Sequence, residues 1–543
     1  MEEGQTLDHP QRPIVACLRC REQKLKCGRE LPSCERCRKQ SAVCTYPAPP
    51  DRKQIAQKTR RAKTSQSNHG NPPHQSESEP GATTKAAAKK RRISPDPSSP
   101  FHCLAHPETA ELPPTEIGLL LHEVFYKRVY SANLLFHKTV SYQVYMLKKT
   151  PEYLQRAISA LAAIFLQEVH SPHQRHIKVL PMQKLYDQSW SWAHAASVEV
   201  LSHVDEPSVL KIQTLQVLHL YYFSRGEIIR AKVHASLAYQ LSRLLAYDDL
   251  QEPNESYPNR SLQFDREIRR RSFWASWCSM CFGSEDFSAS QLCESAVGLP
   301  LPARFSEGGS IQGVDLIIGP QLSRDWRSCT DDEQPKSLMA EMIRLLGIWT
   351  KVRTWVCHSH SMPNPQRAGE LVRLDKLLED AELSMHLPVT DLLTAAKSCD
   401  ESPELLASVC SLYHLSRLII PAFEVIVIEN RPLLLTDVAG TSIGMCTKIV
   451  FDQALNFAAL LQQLIQGNLD ITRLWPFSGY AVFLVANIFL NMYNAMLQSG
   501  VPAGAPVRIP GPDSDILKNL QSILGVLSIY WKPLQTLGNQ PHT

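Results

Sequence analysis

Six cysteines stand within 28 residues near the N-terminus, at Cys17, Cys20, Cys27, Cys34, Cys37 and Cys44. Their spacing is C-x2-C-x6-C, six residues, then C-x2-C-x6-C, so one half-motif occurs twice. Two repeats of one ligand pattern point to two metal ions held pseudo-symmetrically. Zinc takes four ligands, so two ions need eight ligand positions. Six sulfurs fill eight positions only if two of them each touch both ions. Six thiolates and two Zn2+ leave a charge of about −2, which neighbouring Arg and Lys side chains offset. A disulfide framework or chance would be the alternative. Two regular CxxC repeats, behind an N-terminus that lacks a basic segment followed by an apolar run, weigh against both.

Within the cluster, Leu18–Leu25 reads as a short helix and Glu35–Gln40 as a second, with Ser33 as its N-cap. Helices below about 12 residues are marginal in water, so metal binding must supply the folding free energy. The segment resembles the fungal Zn2Cys6 binuclear-cluster DNA-binding domain: all six cysteines fall in that spacing, and Pro32 stands where the family loop commonly carries a proline. The resemblance implies that Cys17 and Cys34 bridge the two zinc ions, while Cys20, Cys27, Cys37 and Cys44 are terminal ligands. It implies double-stranded DNA as partner, the end of the first helix in the major groove, and a lysine there reading a CGG triplet. Lys24, three residues before Cys27, matches that lysine. Guanine O6 and N7 are acceptors suited to an ammonium donor. Arg21, Lys26, Arg38 and Lys39 are candidate phosphate contacts, which supply affinity rather than sequence preference. Gln23 departs from a family lysine.

Charge supports a polyanion partner for this end of the chain. Residues 1–92 carry 20 Lys+Arg against 9 Asp+Glu, and residues 93–543 carry 37 against 44. Residues 1–16 are polar and expected to be disordered; residues 17–46 form the cluster domain. From 47 to 111, Pro, Ser, Gln, Lys and Arg dominate, the composition of a disordered linker. Its Lys89, Lys90, Arg91 and Arg92 read as a nuclear import signal, with a solvated charge run as the alternative. Relatives of such a cluster often carry a short coiled coil next, yet Ile55 is the only large apolar residue in 51–66. The chain is therefore expected to bind as a monomer or to dimerise through its larger domain.

Residues 112–543 read as all-α. Thr115 is placed to cap a helix with apolar positions at Ile117, Leu120, Leu121, Val124 and Phe125. Further helical stripes run through Leu154–Leu166, Val209–Phe223 and Val233–Leu245, and helical stretches are expected near 336–356, 366–386, 403–431, 443–466, 477–497 and 516–531. Asp265 to Trp274, with Glu267, three consecutive arginines and Phe-Trp, then Gly298-Leu-Pro300, resembles the fungal-specific transcription factor middle homology domain. In structural terms Arg269, Arg270 and Arg271 would form the charged face of a helix whose Ile268, Trp274 and Trp277 enter the core. Leu377–Leu383 mixes acidic and apolar residues, as either a transactivation segment or an ordinary amphipathic helix.

The most apolar stretch, Tyr480–Leu490, is short of the roughly 20 residues of a membrane span, and no membrane partner is expected. Cys278 and Cys281 form a CxxC within an apolar helical run, where core thiols are expected. Cys357-His-Ser-His360 lacks a second ligand pair. No nucleotide-binding or hydrolase motif occurs in a position its mechanism requires, so no enzyme is expected. The fold class is a small Zn2Cys6 cluster domain followed by a disordered linker and a large all-α domain. Together with the resemblances, it implies a nuclear, zinc-dependent, sequence-specific transcription factor whose body regulates, dimerises or contacts the transcription machinery or co-regulators. Such chains often control a metabolic or secondary-metabolite gene set. The rival is a zinc-stabilised protein-interaction adaptor without direct DNA readout.

Overall fold

The computed structural model describes residues 16–23, 26–29, 32–40, 42–46, 110–169, 181–247, 260–283, 288–302, 304–305, 316–317, 337–385, 391–398, 402–435, 442–499 and 509–538. The chain divides into two units, Met1–Asp96 and Pro97–Thr543. Apart from Ala16, Ala110 and Glu111, the segments expected to be disordered lie outside the described residues, as does the basic cluster Lys89–Arg92.

In the first unit each half-motif forms one short helix, α1 (Leu18–Glu22) and α2 (Glu35–Lys39). The first cysteine of each half, Cys17 or Cys34, is the N-cap in extended backbone, and the second lies three residues on. That spacing puts both sulfurs of a half on one helix face. The two halves repeat the same first turn: the Arg21 amide donates to the Cys17 carbonyl at 3.0 Å, and the Arg38 amide donates to the Cys34 carbonyl at 3.0 Å. Cys34, not Ser33, therefore occupies the N-cap, and its side chain is spared from capping. The Leu18 amide donates to the Thr45 carbonyl at 2.9 Å, closing the segment end to end.

Among its described residues the second unit is helical, apart from one two-residue antiparallel pairing of β1 (Arg304–Phe305) with β2 (Leu316–Ile317). Its first half holds α3 (Thr115–Arg128), α4 (Ala132–Leu135), α5 (Lys138–Met146), α6 (Glu152–Ile164), α7 (Gln183–Ser202), α8 (Val209–Ser224), α9 (Ile228–Leu244), α10 (Arg260–Gly283) and α11 (Ser288–Ser295). The second half holds α12 (Leu338–His358), α13 (Asn364–Met385), α14 (Leu392–Ser398), α15 (Pro403–Phe423), α16 (Ser442–Gln466), α17 (Pro476–Gln498), α18 (Asp515–Tyr530) and α19 (Lys532–Gly538). Packing mostly follows chain order, with α6 against α7 and α8, α8 against α9, and α9 against α10. The α10–α12 contact joins the halves, and α15 then packs against α12, α16 and α17. One continuous apolar core runs through both.

Local chemistry explains the helix starts. Ser208, Ser402 and Ser514 cap α8, α15 and α18 by accepting amides three residues on, and Pro403 and Pro476 occupy first-turn positions where a missing N–H costs nothing. Thr115 is the first residue of α3 rather than its cap, which is Pro114. The buried stripe of α3 also differs from expectation: Leu120 is exposed, while Gly118, Leu121, His122 and Phe125 face inward. A Cβ on Gly118 would stand 1.8 Å from the Tyr145 hydroxyl, so close helix approach selects glycine there. Pro421 lies inside α15, which passes into a π-helical turn at Glu424–Ile428.

Two helices, Pro403–Ile428 and Pro476–Gln498, are long and apolar enough to cross a membrane, longer than the sequence pattern indicated. The first is mostly buried inside the bundle and carries buried Ser408, Ser411 and His414. The second buries Val482, Val485 and Phe489 and exposes Asn491 and Asn494. The acidic-apolar Leu377–Leu383 stretch belongs to α13, an amphipathic helix of the body: Leu377, Leu378 and Ala381 are buried, and the Glu382 carboxylate accepts the Tyr413 hydroxyl at 2.5 Å.

Candidate metal and nucleic-acid site

Four of the six cysteines, Cys17, Cys20, Cys34 and Cys37, are buried, although most of the described residues around them are exposed. The sulfurs gather into two tetrads. Cys17, Cys20, Cys27 and Cys34 form one; Cys17, Cys34, Cys37 and Cys44 form the other, each with its four sulfurs within 4.8 Å of one another. Cys17 and Cys34 are common to both. Their sulfurs are 3.8 Å apart, Cys17 to Cys37 is 3.7 Å, and Cys20 to Cys34 is 3.8 Å. A disulfide would bring sulfurs to about 2.05 Å. Two thiolates each about 2.3 Å from a tetrahedral zinc stand about 3.8 Å apart. The donor set and its spacing fit zinc.

Bringing thiols this close perturbs them. Burial pushes the Cys17 and Cys20 thiols up and holds Cys37 up at about 12, whereas the backbone amide of Cys37 draws Cys34 down to about 6. A divalent cation removes the conflict, because it deprotonates coordinating thiols and neutralises the thiolates it gathers. Outer contacts steady the sulfurs: the Cys34 amide donates to the Cys44 sulfur at 3.3 Å, and Cys27 and the Tyr46 hydroxyl are 3.9 Å apart. Tyr46 is the one aromatic packed on this cluster. Its position two residues after the sixth cysteine carried no signal in the spacing, which ends at Cys44. Arg29 turns the loop between the halves with a left-handed φ of 60°.

Arg21, Lys26, Arg38 and Lys39, the candidate phosphate contacts, are all exposed around the buried sulfurs. Arg21 and Arg38 hold equivalent places, each four residues after the N-cap cysteine of its helix. Lys39 pairs with Glu35 at 2.9 Å, an exposed i,i+4 pair that a phosphate can displace at little cost. Lys24, the candidate base-reading residue, lies outside the described residues; its neighbour Gln23 is an exposed C-cap.

Residues 15–53 match the fungal Zn(2)-Cys(6) binuclear cluster domain. The N-terminal unit carries a zinc cluster domain. Such a domain holds two zinc ions, and the two tetrads sharing Cys17 and Cys34 supply eight positions from six sulfurs. Similarity to curated proteins extends well past the cluster. The chain is 23% identical over 456 residues to the Zn(2)-C6 fungal-type transcription factor FTF2 of Fusarium oxysporum f. sp. lycopersici, covering 79% of this chain and 39% of that protein. It is 22% identical over 545 residues to the transcription factor FTF1a of the same organism, covering 86% and 48%. An uncharacterized transcriptional regulatory protein of Schizosaccharomyces pombe is 23% identical over 279 residues, covering 48% and 26%. The chain thus spans about a quarter to a half of the length of these relatives, which are named as transcription regulators rather than enzymes.

In the body, the arginine run is arranged differently from the expected charged face. Arg270 and Arg271 are buried; only Arg269 is exposed, lying 5.9 Å over the Tyr247 ring. Buried Glu267 explains this: it accepts from Arg270 Nη1 at 2.9 Å and from Arg271 Nε at 2.7 Å, while Arg271 Nη1 donates to the Asn133 carbonyl at 2.8 Å. Trp274 and Trp277 enter the core as expected, and Ile268 is half-buried. Trp274 Nε1 donates to the Pro300 carbonyl at 2.8 Å, joining the arginine-tryptophan stretch to Gly298-Leu-Pro. Gly298 has a φ of 86°, which favours glycine. Cys278 and Cys281 are buried core thiols, both pushed up by burial. Cys357 is exposed, and His358 Nδ1 donates to the Thr354 carbonyl at 2.8 Å.

Proposed function

We propose that this chain is a nuclear, DNA-binding transcription regulator that reads CGG-type elements through its zinc cluster. Cys17 and Cys34 bridge the two ions; Cys20, Cys27, Cys37 and Cys44 complete them. The observation that carries the reading is the pair of sulfur tetrads sharing those two cysteines, set among exposed Arg21, Lys26, Arg38 and Lys39. A rigid metal core fixes these charges so that they grip phosphate while the end of α1 addresses the major groove. Lys24 is the base-reading donor, and Lys89, Lys90, Arg91 and Arg92 are the import signal. The bond from Trp274 to Pro300 supports reading the body as a middle homology domain. That body dimerises or contacts transcription machinery, and the regulated genes are a metabolic or secondary-metabolite set.

Selection of bound sequences from a random DNA pool, with the full chain at a stated salt concentration, tests this directly. Enrichment of one CGG-like element supports a monomer, and two at fixed spacing support a dimer joined through the body. No enriched sequence would overturn the reading. Lys24→Ala is expected to lose roughly 1–3 kcal/mol on the selected site and to weaken triplet preference.

A further inference from the structure

A cavity of about 620 Å³ opens among α4, α8, α9, α10, α12, α15, α17 and α19, within the helical body. This is the size of sites that take small organic molecules, roughly 300–1,000 Å³. Aromatic rings build much of its wall. Phe282 stacks on Phe477 at 5.4 Å between centroids, Trp475 meets Phe477 at 5.8 Å, and Tyr130 meets Trp475 at 4.4 Å. Where these helices could have closed the space with larger side chains, the lining carries Ala231 and Ala275.

Polar groups in the lining include a buried amide and two cationic side chains. Gln216 is 2% exposed; its Oε1 accepts the Ser279 hydroxyl at 2.8 Å, and its buried Nε2 has no hydrogen-bond partner. A buried amide donor beside open apolar space needs an acceptor. Arg353 and Lys232 add positive charge, and no Asp or Glu is among the described lining residues. The Arg353 guanidinium donates to the Cys281 carbonyl at 3.1 Å, which holds it in place. His219 Nδ1 donates to the Ala231 carbonyl at 3.0 Å, leaving Nε2 as an acceptor, and burial draws the ring down to about 4, so it is neutral at pH 7.

We propose that this cavity binds an amphipathic organic anion, with its apolar body against the aromatic wall and its carboxylate toward Gln216, Arg353 and Lys232. The site lies wholly in the body and does not depend on the zinc cluster or on DNA.

The test is calorimetric titration of the full chain with decanoate and, separately, with decanol. The expected result is one saturable decanoate site per chain, with decanol at least tenfold weaker. Ala275→Phe fills the cavity and is expected to raise the decanoate Kd at least tenfold. Ala231→Phe fills the same space from α9 and reads the same quantity if Ala275→Phe does not fold, as judged by circular dichroism. Arg353→Met and Gln216→Leu are each expected to erase several-fold of the preference for decanoate while leaving decanol binding in place. Absence of saturable binding, or binding unchanged in both filled variants, would overturn the site. Equal affinity for the two probes would overturn the anion.

Discussion

The two units of this chain are held together by opposite means. In the first, the buried groups are sulfurs, α1 and α2 have five residues each, and Val43 is 85% exposed. In the second, the fully buried side chains include Trp274, Trp277, Trp355, Trp475 and Trp531, each contributing on the order of 2–3 kcal/mol by leaving water. One unit depends on an ion and the other on apolar area. The same residue type divides along this line: cysteines in the cluster face each other at ligand spacing, whereas Cys278, Cys281 and Cys410 are inert apolar fillers.

The largest effect expected from this contrast follows metal removal. A chelator should unfold residues 17–46 and abolish DNA binding, since structural zinc supplies about 10–16 kcal/mol of apparent folding free energy in small zinc domains. The helical melt of the body should stay where it was. Joint loss of both would break the contrast. Next in size is Glu267→Gln, which withdraws the carboxylate shared by two buried guanidiniums. A cost of about 3–5 kcal/mol in body stability is expected, with two zinc ions still bound.

The body should also weaken in mild acid for reasons of its own. Burial draws His414 down to about 4, with its Nδ1 bonded to Gln453 at 2.8 Å. An unfolded histidine titrates near 6.5, so between about 6.5 and 4 the unfolded chain binds more protons than the folded one. The stability present above pH 6.5 is lost as pH falls toward 4, by about 2 kcal/mol between pH 7 and 5 for this residue. Denaturant midpoints against pH should show the slope, and His414→Gln should reduce it by that share, the buried His219 contributing a slope of the same sign. On the cluster side, Arg38→Ala should weaken binding to all DNA sequences alike, by about 1 kcal/mol, and reduce the salt slope by about 1. The smallest effect belongs to Tyr142→Phe. Its hydroxyl donates to Glu123 at 2.7 Å and, with Lys127 and Lys138, holds that carboxylate down at about 2. Removing it should cost about 1 kcal/mol at pH 7, and less as pH falls through 2, where the folded carboxylate takes up its proton.

What could be read from the sequence follows the same divide. Metal ligation is punctuation: the spacing of Cys17 through Cys44 announces two ions and two shared sulfurs, while the choice of Cys17 and Cys34 as the shared pair came from the family resemblance. The helices were legible too, because a 3.6-residue apolar period survives in α6 and α18. Which polar residues turn inward was not. Arg270 and Arg271 look like a solvated face until Glu267, three and four residues back, is seen to be buried with them. Gly118 faces inward on α3 against Tyr145 of another helix, a contact that no local window contains. The cavity is assembled from eight helices spread over more than 300 residues, and so leaves no motif.

The most direct test of the shared-cysteine account is the zinc content of the full chain by native mass measurement, alone and with single Cys→Ser substitutions. Two zinc ions are expected in the unsubstituted chain, with both lost or weakened in Cys17→Ser and in Cys34→Ser. Cys20→Ser, which touches one tetrad, should disturb one ion first. A chain holding a single ion, or a Cys34→Ser variant that keeps one ion at full affinity, would contradict the account.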